Sequence, residues 1–404
     1  MTPWLSIVGL GEDGMEALAP AARALIESAE VLVGGTRHLA MIPEDGRERL
    51  SWTSPLSDLV EQILERRGQR ICILATGDPM HYGIGVTLAR RVPPEEMTVL
   101  PSLSAFSLAA ARLGWALETV DCLTLHGRPL ELLHPVLQPG ARILALSDNA
   151  ATPGKAAALL TARGYGESLL SVLEHMGGPR ERRIDARAKD WGVREVADFN
   201  TLAIACLAGP EARELPRTPG LPDEAFRHDG QLTKREVRAV TLAALAPAPG
   251  QLLWDIGAGC GSVAIEWMRC HRRNRALALE RNGERIALIA DNAAALGTPH
   301  LKILQGEAPE ALKELEKLEA PDAVFLGGGL SAAGVTEAAW GALKPGGRLV
   351  ANAVTLEGEQ ALVALRAARG GELVRLAVSR AEAVGPFTGW RPLMPVTQLR
   401  AVKP

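Results

Sequence analysis

The stretch "LLWDIGAGCGS" at Leu252–Ser262 combines a short apolar run, three closely spaced glycines and the start of a helical pattern. This order predicts a strand, a tight turn and a helix. Gly257, Gly259 and Gly261 let the backbone turn sharply and approach a ligand closely, because glycine carries no Cβ. The helix that follows offers unpaired backbone N–H groups at its start. The stretch therefore predicts a cofactor loop at the end of a buried strand.

Acidic side chains accompany this loop. Asp255 precedes the glycines, and Glu280 closes the next apolar run, "RALALE". A carboxylate at the end of that strand can accept hydrogen bonds from both hydroxyls of a ribose. Ala308 lies in "GEAPEAL" (Gly306–Leu312), after the third predicted strand, where an adenine edge would be recognised. These features predict that the loop holds a nucleoside cofactor.

The loop and its acids together resemble the class I S-adenosylmethionine (SAM)-dependent methyltransferases. The spacing is G-x-G-x-G, whereas a dinucleotide fold typically has G-x-G-x-x-G, and NAD is the alternative cofactor. The resemblance implies a SAM site formed by the loop, the strand-end acid and the later turn: Gly257, Ala258, Gly259, Cys260, Gly261, Glu280 and Ala308.

The turn after the fourth predicted strand bears on the substrate. This "LGGG" segment contains Gly327, Gly328 and Gly329 and lacks the Asn-Pro-Pro-aromatic set that amino-directed methyltransferases usually place there. Glycines leave open space and free amides near the methyl group, which suits a bulky substrate with carboxylates. The alternative is a tight turn that needs positive φ. We therefore expect these glycines on the substrate side of the site.

The segment "LTKREVRAV" (Leu232–Val240) leads into the first strand of this domain. It resembles the corresponding segment of the precorrin methyltransferases that act on carbon 15. The resemblance implies that Thr233 contacts SAM and that Arg235 or Arg238 faces carboxylates of the substrate. The alternative for both arginines is a solvated helix face.

The N-terminal half has a glycine loop of its own, "IVGLGEDG" at Ile7–Gly14, which is weak evidence because no strand-end acid accompanies it. Stronger evidence comes from "ATGDPMHYGIG", "PSLSAFSLAAARLGW", "LTLHGR" and "TPGKAAALL", in this order. Together they resemble the tetrapyrrole methylases, or class III methyltransferases, over roughly residues 3–208. Glu12 and Asp13 depart from the commoner G-x-G-P-G start of that family.

That resemblance implies a second SAM site, between two α/β lobes of the N-terminal half. It places Gly77, Asp78 and His81 on one border of the site and Ser104 and Ala105 on the other. Gly9 and Gly11 would then shape the mouth through which a tetrapyrrole enters. Alternatives are a turn-forming role for Asp78 and a structural role for His81, while His126 and His175 are interpreted as structural.

The chain divides at a segment rich in proline, "GPEARELPRTPGLPDEAF", which reads as a linker. We predict a tetrapyrrole methylase domain over residues 1–208 with lobes of about 1–112 and 113–208, a linker over 209–226 and a class I methyltransferase domain over 227–404. Alternating strands and helices in both halves predict an α/β fold class, Rossmann-like in the C-terminal domain. The last two predicted strands have no helix between them, so one of them is expected to be antiparallel.

The composition of the chain limits which classes of partner we expect it to bind. The chain has 404 residues and a formal net charge of -3, with no basic stripe, so we expect no nucleic-acid partner. No apolar run reaches the ~18 residues that span a bilayer, and the five cysteines form no C-x-x-C pair. We therefore expect a cytoplasmic protein without a metal site or membrane partner. Class III enzymes are typically dimers, so the resemblance implies a homo-oligomer.

Two unrelated methyltransferase folds in one chain resemble a family of fused enzymes of cobalamin (vitamin B12) biosynthesis. The resemblance implies SAM-dependent methylation of precorrin-6Y at carbon 5 by the N-terminal half. It implies methylation at carbon 15, with loss of the ring C acetate carboxyl as carbon dioxide, by the C-terminal half, giving precorrin-8. No catalytic residue can be named from the sequence. Alternatives are a two-site methyltransferase acting on RNA or protein, an NAD-dependent oxidoreductase and a non-enzymatic SAM-binding regulator.

Overall fold

The computed structural model describes residues 3–316 and 319–404. The chain forms two compact units rather than one. The first comprises Met1–Leu130 and Pro139–Arg213, and the second comprises Glu131–Gln138 and Glu214–Pro404. The short segment Glu131–Gln138 thus packs with the second unit, where the Gln138 side chain donates to the Leu215 carbonyl at 2.8 Å.

The first unit begins with a five-stranded parallel sheet in the order β3-β2-β4-β1-β5. Its strands are β1 Leu5–Leu10, β2 Val31–Gly34, β3 Glu48–Ser51, β4 Ile71–Thr76 and β5 Met97–Leu100. Its helices are α1 Pro20–Glu27, α2 Thr36–Leu39, α3 Leu56–Glu65 and α4 Ile84–Leu88. Helices cover the sheet, so the central strands are apolar on both faces. Since all strands are parallel, their carboxyl ends meet at one edge.

A second five-stranded sheet completes this unit, in the order β6-β7-β10-β8-β9, with only the β6–β7 pair parallel. Its strands are β6 Val120–Thr124, β7 Arg142–Leu146, β8 Leu169–Glu174, β9 Arg182–Arg187 and β10 Asn200–Ala205. Its helices are α5 Ala105–Leu113 and α6 Thr152–Ala162. The sequence pattern did not predict β9, because this edge strand is mostly charged and exposed.

The second unit contains a seven-stranded sheet in the order β13-β12-β11-β14-β15-β19-β16. The strands of the unit are β11 Leu252–Ile256, β12 Arg275–Glu280, β13 Lys302–Gln305, β14 Ala323–Leu326, β15 Arg348–Ala353, β16 Glu372–Leu376, β17 Ser379–Val384, β18 Phe387–Pro392 and β19 Val396–Val402. Its helices are α7 Arg235–Leu245, α8 Ser262–Cys270, α9 Gly283–Ala295, α10 Leu312–Glu316, α11 Val335–Ala342 and α12 Leu356–Arg369. The predicted α/β fold class is confirmed.

The order of this sheet determines where a ligand can bind. β11 pairs in parallel with β12 on one side and with β14 on the other. The chain therefore adds β12 and β13 on one side of β11 and then crosses to add β14 on the opposite side. A reversal of this kind leaves a crevice outside the carboxyl ends of the strands. β19 runs antiparallel to both β15 and β16, which confirms the prediction for the last strands.

One strand prediction was wrong. The first of the last two strands expected from the sequence is the continuous run "ELVRLAVSR" (residues 372–380), whereas the chain leaves the main sheet after β16. β17 and β18 then form a separate two-stranded hairpin closed at Gly385, whose φ of 59° lies in the left-handed region. Short 3-10 turns complete the structure at Gly14–Ala17, Pro94–Glu96, Leu117–Thr119, Leu130–Val136, Ala188–Asp190 and Asp223–Ala225.

Candidate functional site

A cleft of about 1160 Å³ opens at the carboxyl ends of the central strands of the second unit. Its walls come from the loop after β11, the end of β12, the turns after β13 and β14, and the segment before α7. Most of the residues predicted for the SAM and substrate sites of this domain line it: Thr233, Gly257, Ala258, Gly259, Cys260, Glu280, Ala308, Gly327, Gly328 and Gly329.

The glycine loop after β11 requires its glycines. Gly257, Gly259 and Gly261 have φ angles of 72°, 61° and 80°, in the left-handed region that side chains disfavour. A Cβ on Gly257 would lie 2.9 Å from the backbone N of Gly328, so the loop after β11 and the turn after β14 touch backbone to backbone. Gly261 differs, because it lies outside the cleft lining and its missing Cβ makes room for Ile289.

The Glu280 carboxylate is buried at the edge of the cleft. One oxygen accepts the Gly259 N–H at 2.9 Å, and the other accepts the N–H groups of Arg281 and Asn282 at 3.1 and 3.0 Å. A carboxylate offers about four lone-pair sites. The oxygen beside Gly259 therefore retains capacity for one more donor, such as a ribose hydroxyl.

Asp255 lies beneath the loop and is only 1% exposed. Its Oδ2 accepts the Ala264 N–H at 3.0 Å, while its Oδ1 has no hydrogen-bond partner among the described residues. Burial, with a smaller contribution from the charge of Glu280, raises the pKa of Asp255 from 3.8 to about 7. Asp255 does not line the cleft, so the groups that can meet a nucleoside cofactor are the open backbone of the glycine loop and the Glu280 carboxylate.

Two further residues that line this cleft were missed by the sequence prediction. Asn352, near the end of β15, donates to the Thr241 hydroxyl at 3.0 Å and accepts from the Gln398 amide at 2.9 Å. Lys234 lies next to Thr233 and makes no ion pair or hydrogen bond through its side chain within the described part of the chain. The rule that sites form at the carboxyl ends of parallel strands could have found Asn352.

Arg238, predicted together with Arg235 as an arginine that could face the substrate, does not line the cleft. Its side chain is fully buried and donates to Glu266 at 2.6 Å and to Asp223 at 3.2 Å, and further to the backbone carbonyls of Thr233 and Leu221. This arginine therefore anchors the segment before α7 to α8.

Arg235 does not line the cleft either. It is exposed and lies beside a separate small pocket whose other members are Pro222, Asp223, Glu224, Glu236 and Arg380. This placement gives Arg235 no contact with the cleft where the substrate was expected.

In the first unit, Gly9 and Gly77 meet at the carboxyl edge of the parallel sheet. A Cβ on Gly9 would clash with the Gly77 carbonyl oxygen and with the Ser102 backbone N, so no other residue fits without a shift. The Ser102 hydroxyl donates to the Gly9 carbonyl at 2.8 Å, and its N–H donates to the Gly77 carbonyl at 3.0 Å. The structure thus brings together the end of β1 and the loops after β4 and β5.

The polar residues predicted around this edge also make local contacts. Asp78 accepts the Met80 N–H at 2.8 Å, and His81 lies 4.7 Å from Phe106 between ring centroids. Ser104 caps α5 by accepting the Ser107 N–H at 3.1 Å, which places Ala105 at the first helical position. Binding roles for these four predicted residues, and for Gly11 beside Asp13, stay predictions.

The described residues also bear on metal and membrane sites. No group of three His, Cys, Asp or Glu residues among them is placed to hold a metal ion. No helix in the described ranges has both the length and the apolar character required for a transmembrane span.

Comparison with known proteins identifies relatives of both units. Residues 224–403 match the precorrin methyltransferase domain, and residues 5–191 match the tetrapyrrole (corrin/porphyrin) methylases. A precorrin-6Y C(5,15)-methyltransferase [decarboxylating] of a Sinorhizobium species is 48% identical over 399 residues, which cover 98% of this chain and 96% of the relative. A protein of the same name from Mycobacterium tuberculosis (strain CDC 1551 / Oshkosh) is 42% identical over 401 residues, covering 98% and 99%.

Among solved structures, the C-terminal domain of precorrin-6Y C5,15-methyltransferase from Rhodobacter capsulatus is 44% identical to this chain. It covers 47% of this chain and 100% of its own, with a TM-score of 0.44.

Proposed function

Since the chain belongs to the family of precorrin-6Y C(5,15)-methyltransferases (decarboxylating), we propose that each of its two domains binds one SAM and performs one of the two methylations. The chain is a decarboxylating methyltransferase of cobalamin biosynthesis that acts on a tetrapyrrole. In our proposal the domain predicted over residues 1–208 methylates carbon 5. The domain over 227–404 methylates carbon 15 and releases carbon dioxide from the ring C acetate, giving precorrin-8.

The contact between Gly257 and Gly328 is the observation that carries the proposal for the second domain. Through this contact, the backbone of the predicted cofactor loop after β11 packs directly against the backbone of the predicted substrate turn after β14. A methyl donor bound at the loop after β11 and a ring carbon bound at the turn after β14 would then lie in the same cleft. Bound SAM supplies a methyl group on a positively charged sulfur, which an electron-rich carbon can attack.

The residues of the cleft have distinct proposed tasks. Glu280 orients the ribose, Thr233 and the loop from Gly257 to Cys260 hold the rest of SAM, and Ala308 borders the adenine. Holding donor and acceptor in line can lower the barrier by ~7–11 kcal/mol. The glycine turn Gly327–Gly329 leaves room for a macrocycle on the side of the methyl group.

The first domain supports a second SAM site less directly. Gly9 and Gly77 converge with the segment that contains Ser104 and Ala105, so the two predicted borders of that site lie at one sheet edge. We propose that SAM binds along Gly77, Asp78, His81, Ser104 and Ala105. In the same proposal, Gly9 and Gly11 line the entrance for the tetrapyrrole.

The remaining proposals concern the setting of the enzyme. None of the five cysteines, all of which the structure describes, forms a disulfide bond, and we place the enzyme in a reducing compartment such as the cytoplasm. The net charge of -3 argues against binding to nucleic acid through its phosphates. The resemblance to class III enzymes supports a homo-oligomer, which sedimentation of the full chain would test.

Incubation of the full chain with precorrin-6Y and SAM, followed by mass spectrometry, tests the function. We expect a gain of two methyl groups and the loss of one carbon dioxide. An unchanged substrate mass would contradict the proposal. Two rival functions have their own signatures: salt-sensitive binding of tRNA on filters would favour an RNA methyltransferase, and calorimetry that detects NAD but not SAM would favour an oxidoreductase.

A further inference from the structure

The loop after β1 and the end of β8 meet through an acid–imidazole pair in the first unit. Glu12 Oε2 lies 2.9 Å from Nδ1 of His175, which follows β8 directly. The side chains are only 6% and 13% exposed, so the contact is largely shielded from water. Glu12 is one of the two residues that differ from the common G-x-G-P-G loop of the family. The contact between Glu12 and His175 therefore depends on a residue in which this chain differs from that pattern.

His175 adopts a backbone conformation that histidine rarely takes. Its φ of 47° lies in the left-handed region, which costs a residue with a Cβ roughly 1–2 kcal/mol. Strain of this kind persists where the surrounding structure holds it, and it concentrates at functional sites. Here the strained backbone directs the imidazole at Glu12.

The groups around His175 favour its neutral form. Burial and the positive charges of Arg180 and Arg37 lower its pKa below 6.5, against the opposing negative charge of Glu174. The Glu12 carboxylate beside Nδ1 also favours the protonated ring. If the neutral ring carries its proton on Nδ1 and donates it to Glu12, Nε2 has a free lone pair. That nitrogen makes no hydrogen bond to any residue that the structure describes. Phe199 packs beside the ring at 5.7 Å between centroids.

Short contacts connect this pair with the predicted SAM border. Thr76 ends β4 immediately before Gly77, and its hydroxyl accepts from Arg37 at 3.0 Å. Arg37 also pairs with Glu12 through its other guanidinium nitrogen. The contacts of Arg37 with Glu12 and with Thr76 therefore connect Glu12 to the residue that precedes Gly77.

Methylation of a ring carbon that bears one hydrogen needs a base. The electron pair of carbon 5 forms the new bond to the methyl group, and the sulfur–methyl bond breaks, leaving a neutral thioether. Carbon 5 then carries both hydrogen and methyl, and the ring carries a positive charge. Removal of the proton returns the C–H electron pair to the ring and restores its conjugation.

We propose that His175, oriented by Glu12, is the catalytic base that accepts the carbon-5 proton on Nε2. The inference rests on the proposed methylation of carbon 5 by the first domain. Glu12 then acts as a positioning residue that fixes the tautomer and stabilises the imidazolium. The proton leaves His175 to water before the next turnover, so the step balances with SAM as the only co-reactant.

The variants His175→Gly and His175→Asn test this role in the full chain, because both residues tolerate positive φ. We expect methylation at carbon 5 to slow by ~10²–10⁴-fold in both, as for loss of a general base. Methylation at carbon 15 and release of carbon dioxide should keep their rates in a single-turnover assay on precorrin-6Y. Added imidazole should restore activity at carbon 5 only in His175→Gly, where it can occupy the vacated space.

His126→Gln is the matched control, because that histidine belongs to the same unit and its side chain is 76% exposed. It should leave the rate at carbon 5 unchanged. An independent readout is the ¹⁵N NMR spectrum of His175 in the protein without substrate or SAM. We expect an Nδ1–H tautomer that titrates below pH 6.5, and we expect Glu12→Gln to lose that tautomer preference.

The outcomes separate this inference from the proposed function. Retention of the wild-type rate at carbon 5 in either His175 variant, or no rescue of His175→Gly by imidazole, would overturn the role of His175 and leave the function intact. A wild-type enzyme that transfers no methyl group to carbon 5 would overturn both.

Discussion

The Glu280 carboxylate accepts the backbone N–H of Gly259 at 2.9 Å, which ties the acid that ends β12 to the middle of the glycine loop after β11. The same carboxylate accepts two further N–H groups from the turn that follows it. Its position is therefore set by the backbone of two loops, so a bound ribose would meet a pre-oriented acceptor.

Glu280→Gln should weaken one of the two proposed SAM-binding events. Hydrogen bonds to a charged group contribute about 1.5–3 kcal/mol, so we expect the Kd of that site to rise by ~10–100-fold. Isothermal titration calorimetry of the full chain measures both events. Glu307→Gln is the control, because Glu307 also lines the cleft but is exposed and paired with Arg281. Equal affinities in the two variants would remove Glu280 from the cofactor site.

The sequence predicts the backbone geometry of this loop and its place in the cleft well, because the information is local. Three glycines between an apolar run and a helical run specify both the turn and its place at the end of a strand. Glu280 could be added because consecutive parallel strands end at the same edge. The antiparallel β19 followed from the lack of a helix before it.

Arg238 shows where local information ends. The pattern around it is that of an amphipathic helix start, and an arginine there usually faces water. Its partner Glu266 lies on another helix, and the burial of both depends on tertiary packing. The Glu12–His175 contact, between residues 163 positions apart, has no sequence signal at all.

Arg238→Met should destabilise the second unit without acting on the substrate directly. The change leaves Glu266 buried without its cation, and breaking a buried pair in this way costs about 3–5 kcal/mol. Denaturant unfolding measures this loss. Arg235→Met, on the exposed side of the same helix, should change the free energy of unfolding by only about 0.5 kcal/mol. A raised KM in Arg238→Met with unchanged stability would restore the substrate role.

Gly257→Ala should impair both folding and cofactor binding. The added Cβ meets the backbone of Gly328 at 2.9 Å and is held at a φ of 72°, so the two loops must move apart. Gly346→Ala is a matched control, since Gly346 has a φ of 74° and a methyl group there would have no described neighbouring atom within 4 Å.

Both alanine variants should lose the roughly 1–2 kcal/mol that a left-handed alanine costs. Only Gly257→Ala should lose further stability and SAM affinity, as measured by thermal unfolding and calorimetry. Similar losses in the two variants would mean that the contact between the loops is unimportant.

Asp255→Asn should make the unfolding free energy of the protein without SAM less dependent on pH. The pKa of Asp255 is about 7 in the folded state, against 3.8 as its ordinary value, so the folded state binds the proton more tightly. Between these values the folded state holds more protons, and stability is lost as the pH rises from about 4 to about 7. Asparagine can still accept the Ala264 N–H and has no charge to bury.

The variant should therefore gain most relative to the wild type at pH 8, where the shift corresponds to an upper bound of about 4 kcal/mol. At pH 5 the gain should be less than half as large. Urea unfolding at the two pH values measures the difference, with Asp291→Asn as a control at an exposed aspartate of the same unit. A constant difference between variant and wild type at both pH values would show that Asp255 ionises normally in the folded state.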